Sequence, residues 1–108
     1  MIPQMSPQEL QTLLNEHREG VLVVDVREPN ETDAVPAPFP HVDMPLSRFA
    51  EEFQQLNPES EIIMLCRSGG RSMQAAKLLE EAGYTHVSNL DGGLLAWRDT
   101  LDPTLSIS

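Results

Sequence analysis

Cys66-Arg67-Ser68-Gly69-Gly70-Arg71-Ser72 is the stretch whose residue types and spacing could do chemistry. The thiolate is the reactive form of cysteine, and an ordinary thiol is mostly protonated near neutral pH. Three features here favour the anion. Arg67 and Arg71 place fixed positive charge beside Cys66. A helix predicted to start around Arg71 or Ser72 points its positive dipole end and unpaired N–H groups back at the loop. Gly69 and Gly70 lack a Cβ, so the backbone can take φ > 0 and turn consecutive N–H groups inward as a nest. An arginine at a helix N-terminus is locally unfavourable by the same dipole argument, and makes sense if an anion sits there.

The surrounding charge sharpens this reading. Ile62 through Leu79 contains no Asp or Glu but does contain Arg67, Arg71 and Lys77, in a chain with 17 acids against 7 Lys plus Arg. Taken singly, the cysteine is a small buried hydrophobe, the glycine pair a turn and the arginines a solvated surface. Together, at a strand-to-helix junction, they describe an anion-cradling nucleophile. Two chemistries use such a loop. A tyrosine phosphatase or arsenate reductase places one more residue between cysteine and arginine, so that the loop wraps a tetrahedral oxyanion. The shorter ring here, with four residues from Arg67 to Gly70, is better suited to the terminal sulfur of a persulfide.

The elements that must position this loop follow from pattern. Ile62 to Leu65 is an unbroken apolar run, expected of a strand buried on both faces. Ala75, Leu78, Leu79 and Ala82 fall at helical spacing, and Gly83 stops that helix. Upstream, Ser6-Pro7-Gln8-Glu9 is a capping box with proline at the first helical position. The helix it starts runs through Leu10, Leu13 and Leu14 to about His17 or Arg18, with Gly20 closing the turn. His17 reads as a favourable C-terminal group rather than a base. Val21 to Arg27 reads as a central parallel strand that delivers Asp25, Arg27 and Glu28 to its carboxyl end. From Pro29 to Pro45 no periodicity survives, and Pro36, Pro38, Pro40 and Pro45 are expected to forbid helix or central strand. Ser47 is the expected N-cap of a short helix with Leu46, Phe49, Ala50, Phe53 and Leu56 on one face, ended by Asn57-Pro58. Tyr84 to Leu90 reads as a last strand, and Asp91-Gly92-Gly93 as a tight turn into a final helix carrying Leu94, Leu95 and a core Trp97. The tail, about 102–108, is weakly patterned and expected to fray. The alternation gives an α/β layered domain, a single one over 1–108.

Cys66-Arg-Ser-Gly-Gly-Arg-Ser72 resembles the active-site loop of the rhodanese (thiosulfate sulfurtransferase) family, whose cysteine carries a sulfane sulfur. Val23-Val-Asp25-Val-Arg27-Glu-Pro29-x-Glu31 is similar to a second family signature. Gly83-Tyr-x-x-Val87-x-Asn-Leu90-x-Gly-Gly93-x-x-Ala96-Trp97 is similar to a third, so the resemblance spans most of the chain. It implies a parallel sheet of about five strands with helices on both faces. It also implies that Asp25 and Arg27 brace the loop and the segment after it; a surface ion pair is the competing reading. Val35-Pro-Ala-Pro-Phe-Pro-His41-Val departs from the Gly-His-Ile-Pro stretch typical of the family, so His41 is not equated with the family histidine.

The expected activity is sulfur transfer by a ping-pong route through a Cys66 persulfide, from a donor such as thiosulfate to cyanide or a thiol. Arg67 and Arg71 would hold the donor's anionic end, and the N–H groups from Arg67 to Ser72 the transferred sulfur. No metal or organic cofactor is implied. The alternatives are the phosphatase or arsenate reductase above, and a non-catalytic docking module. A sulfur-accepting protein is a further expected partner. A single cysteine leaves no intramolecular disulfide, no Cys-based zinc site and no resolving thiol. A net charge of −10 speaks against nucleic acid. No run reaches transmembrane length and no signal peptide is visible, so a cytoplasmic location is expected.

Overall fold

Ile62 to Leu65 lie at the centre of the molecule because both of their faces are covered. In the computed structural model, which describes residues 1–107, they belong to strand β4 (Glu61–Leu65). Its neighbours are β2 (Val21–Asp25) and β5 (Val87–Leu90). The edges are two-residue strands, β1 (Gln4–Met5) beside β5 and β3 (Val42–Asp43) beside β2. All pairings are parallel, with Asp25 opposite Leu65 and Ile62 opposite Val87. The α/β fold, five parallel strands with helices on both faces, is the one expected.

Alternation along β4 divides the core. Ile62, Met64 and Cys66 join Phe49, Ala75, Ala76 and Leu79 on one face, under α3 (Leu46–Glu52) and α4 (Gly70–Glu81). Ile63 and Leu65 join Leu10, Leu13, Leu94 and Trp97 on the other, under α1 (Pro7–Asn15) and α5 (Gly93–Thr100). Trp97 is buried as expected, with Phe39 of the proline-rich segment set edge-on to it at 4.8 Å between ring centroids. No helix among the described residues is long and apolar enough to cross a membrane.

Several local expectations need correction. Pro29–Ala34 is a helix, α2, although the segment was expected to form none. Pro29 occupies the first helical position, where a missing N–H costs nothing, and Glu28 and Glu31 complete a capping box around it. Ser47 does not cap α3, whose N-cap is Pro45. Its hydroxyl and N–H instead donate to the Glu28 carboxylate, at 2.7 and 3.2 Å. Ala50 faces solvent, and Leu56 follows a separate 3₁₀ turn, Phe53–Gln55. Helix α1 stops at Asn15, and His17 beyond it adopts a left-handed φ of 51°. The last strand is shorter than expected because Tyr84 turns inward, its hydroxyl donating to the Leu56 carbonyl at 2.8 Å. Gly83 ends α4 at φ 94°, as expected. Of the expected frayed tail, Leu105 and Ile107 pack on the Trp97 side, and Ser108 lies outside the described residues.

Candidate active site

Strand β4 delivers Cys66 at the carboxyl end of the sheet, where open α/β folds collect functional groups. The loop that follows is held from behind. The Cys66 and Arg67 carbonyls accept from the Leu94 and Leu95 N–H groups, each at 3.0 Å, in the first turn of α5. Gly93 makes that approach possible: at φ 62°, a Cβ there would stand 2.6 Å from both carbonyl oxygens. Sequence reading saw only a tight turn at this glycine, and nothing local announces the contact.

With those carbonyls tied back, donors gather on the sulfur. The Gly69 N–H points to Cys66 Sγ at 3.1 Å, and the Ser72 N–H and hydroxyl both lie at 3.4 Å. Gly69, at φ 100°, turns the chain into α4, which starts at Gly70, one or two residues earlier than expected. Of the two glycines, only Gly69 uses the left-handed region. The Gly69 carbonyl is itself fixed, accepting from the Met73 N–H and from Asn89 Nδ2, each at 3.1 Å. Asn89, fully buried on β5, also donates to Gln4 Oε1 on β1, while its Oδ1 has no partner among the described residues. Asn89 stood in a quoted signature without a role.

Cys66 is 1% exposed, so burial pushes its thiol pKa up. Hydrogen bonds from the Ser72 hydroxyl and N–H, then from the Gly69 and Ser68 N–H groups, outweigh burial and bring it below the ordinary cysteine value. The thiolate is therefore more accessible than in an ordinary cysteine. The inward-turned N–H groups were among the expected causes; the Ser72 hydroxyl, the first of the donors, was not.

Arg71 is engaged by a protein carboxylate. Its two terminal nitrogens donate to the two oxygens of Glu31 at 2.6 and 2.8 Å, a fork-to-fork pair. Those bonds hold the Glu31 carboxyl down at about 2. Arg71 is kept more firmly charged chiefly by Glu31, and less so by the charge of Cys66. Glu31 was quoted in the second signature without a role; its place in a capping box after Pro29 was the available signal.

Asp25 and Arg27 form a buried ion pair, at 0% and 2% exposure, which removes the surface reading. The guanidinium meets Asp25 Oδ2 at 2.8 Å and the Val35 carbonyl at 2.8 Å, and so ties the end of β2 to the end of α2. Since α2 carries Glu31, the pair bears on Arg71 through that helix. His41, on the proline-rich segment, donates from Nδ1 to the Phe39 carbonyl and sets Nε2 3.1 Å from Asp43. Asp25, His41 and Asp43 bring one ligand atom each within 4.8 Å of one another. Both oxygens of Asp25 are nonetheless committed to Arg27. Arg67 is half-buried and lines a cavity next to Glu31.

Residues 6–100 match the family model of the rhodanese-like domain. The chain is 39% identical over 87 residues to the Rhodanese-like/PpiC domain-containing protein 12, chloroplastic, of Arabidopsis thaliana, covering 77% of itself but only 29% of that longer protein. It is 35% identical over 79 residues to a protein of Allochromatium vinosum named Sulfurtransferase, covering 73% of each. Among solved structures, a rhodanese-like domain protein from Staphylococcus aureus aligns over 99% of both chains, with a TM-score of 0.82 and 27% identity.

Proposed function

The chain belongs to the rhodanese-like family, and from that premise we propose that it moves sulfane sulfur through a persulfide on Cys66. The observation that carries this reading is the set of donors converging on a buried sulfur: the Gly69 N–H, the Ser72 N–H and the Ser72 hydroxyl. Such donors stabilise negative charge on sulfur without needing to reorganise as it develops.

The steps balance without a cofactor. The Cys66 thiolate attacks the outer sulfur of thiosulfate; the new S–S bond forms as the donor's own S–S bond breaks, and sulfite leaves with the electron pair. The persulfide anion then occupies the field that held the thiolate. Cyanide or a thiolate attacks its terminal sulfur, takes it as thiocyanate or as a new persulfide, and returns Cys66 to its anionic form. Loop N–H groups from Arg67 to Ser72 hold the charge, and Asp25 with Arg27 supports the loop through α2. Arg67 meets the donor's anionic end. Arg71, committed to Glu31, acts as a fixed charge near the sulfur. That commitment, together with the short loop, argues against a phosphoryl group as cargo. The acceptor in a cell is a thiol, free or on a protein.

The test is to incubate the protein with thiosulfate, remove the excess and weigh the intact chain. A gain of one sulfur atom, removed by cyanide and absent in Cys66→Ser, is the expected result. An unchanged mass with thiosulfate and with organic thiosulfonate donors would refute the proposal.

A further inference from the structure

Asn89 lies on β5 at 0% exposure, and its amide is satisfied on one side only. Nδ2 donates to the Gly69 carbonyl and to Gln4 Oε1, each at 3.1 Å, while Oδ1 is buried with no partner among the described residues. The orientation is forced. A carbonyl oxygen only accepts, so the atom facing Gly69 is the amide nitrogen; turning the amide over would set oxygen against oxygen. A buried acceptor without a donor costs stability, and an apolar side chain of similar shape would avoid that cost. The amide is therefore explained by what its nitrogen holds.

What it holds is the turn that aims the nearest of the loop's donors at the sulfur. The Gly69 N–H lies 3.1 Å from Cys66 Sγ, against 3.4 Å for the two Ser72 donors. Gly69 stands at φ 100° and has no side chain, so packing of its own cannot fix the peptide planes on either side of it. The Met73 N–H holds the Gly69 carbonyl from within α4, and Asn89 holds the same oxygen from the sheet. Gln4 takes the other proton of Nδ2 and so keeps the amide from rotating. That contact is built into the sheet. Gln4 is the register partner of Asn89, and the Asn89 and Asp91 N–H groups donate to the Pro3 and Met5 carbonyls on either side of it, each at 2.9 Å.

Resting on the sulfur-transfer reading, we propose that Asn89 is a positioning residue for Cys66, and that Gln4 on the edge strand orients it. Neither acts on the sulfur directly. Asn89 holds the Gly69 turn, and the turn holds its N–H on Sγ. That donor favours the charged form of the sulfur, first as the thiolate and then as the persulfide.

The test reads the pH dependence of Cys66 alkylation by iodoacetamide in the wild type, Asn89→Leu and Gln4→Met, with thermal melts on the same samples. Asn89→Leu keeps the bulk of the side chain and removes its donor. Its alkylation midpoint should rise by about one pH unit, so that the rate well below the midpoint falls roughly tenfold, as expected when a hydrogen bond to a charged group is loosened. Gln4→Met leaves the bond to Gly69 but removes the acceptor that orients the amide, and should lower the same rate roughly threefold. Gln4 is exposed on an edge strand, so this variant decides the matter alone if Asn89→Leu does not fold. Val87→Ala controls for destabilisation: Val87 is buried on the same strand but pairs with Ile62, at the far end of β4 from Cys66. It should lower the melt and keep the wild-type midpoint. Unshifted midpoints in Asn89→Leu and Gln4→Met, or an equal shift in Val87→Ala, would overturn the positioning role. A shift in Asn89→Leu without one in Gln4→Met would overturn the part given to Gln4. Persulfide mass after thiosulfate is recorded on all samples. Shifted midpoints with no persulfide on the wild type would keep the positioning role and defeat the sulfur-transfer reading; persulfide on the wild type with unshifted midpoints would do the reverse.

Discussion

Replacing Gly93 by alanine tests the architecture of the loop most directly. The added Cβ would stand 2.6 Å from the Cys66 and Arg67 carbonyl oxygens, about 0.8 Å inside the 3.4 Å at which ordinary contact begins. Both atoms are backbone, so the strand end or the helix start must move. Two costs combine. A non-glycine residue at φ 62° costs about 1–2 kcal/mol. Displacement also weakens the Leu94 and Leu95 hydrogen bonds to those carbonyls, each worth about 1 kcal/mol net. The expected loss is therefore about 3–4 kcal/mol, or roughly 15 °C in Tm for a domain of this size. Gly83→Ala is the matched control: φ is 94°, but nothing lies within 4 Å of the new Cβ, so it carries the backbone cost alone. Thermal melts of both variants separate the two contributions, and iodoacetamide alkylation against pH reports on Cys66. Gly93→Ala should melt well below Gly83→Ala and shift the Cys66 profile to higher pH, because the donors on Sγ move with the loop. If the two variants melt together and the profile is unchanged, α5 does not hold the loop in place.

Ser72→Ala removes the leading favourable donor on Cys66 and leaves the Gly69 carbonyl its bonds from Met73 and Asn89; alkylation should then require higher pH, with the melt little changed. Glu31 has its carboxyl lowered by folding, so the stability it lends is complete above its ordinary value of 4.5 and disappears as pH falls toward about 2. Acid titration of unfolding should show this slope in the wild type and lose it in Glu31→Gln, at a cost of about 1–2 kcal/mol near neutrality after solvent screening. Arg27→Met leaves the Asp25 carboxylate buried without its partner and should cost about 3–5 kcal/mol in denaturant unfolding; Asp25→Leu combined with it should recover much of that.

The stretch from Ile62 to Glu81 was legible because its signals are local. Burial on both faces demands an unbroken apolar strand, and a reversal into a helix demands a glycine such as Gly69. The edge strands β1 and β3 were not legible individually, since two residues carry no period and the register comes from β5 and β2. Helix α2 was missed because six residues starting at a proline show no apolar stripe, although Glu28 and Glu31 held its capping box. In the site, Cys66, Gly69 and Ser72 could be named from sequence because they are neighbours in the chain. Glu31, Asn89 and Gly93 reach the loop from α2, β5 and α5, and their roles depend on contacts that only folding creates. Arg71 shows the same limit from the other side: its charge was evident, and its commitment to Glu31 was not.

The peptide planes at Cys66 and Arg67 are held at their oxygens by one helix start, while the amides that follow are aimed at sulfur by the start of another. Carbonyls and amides along this short run are thus tied to different elements, which leaves the backbone little freedom to swing. On the proposed sulfur transfer, the empty and loaded forms should superpose along residues 66–72, with the extra atom taken up by the side chains around the loop.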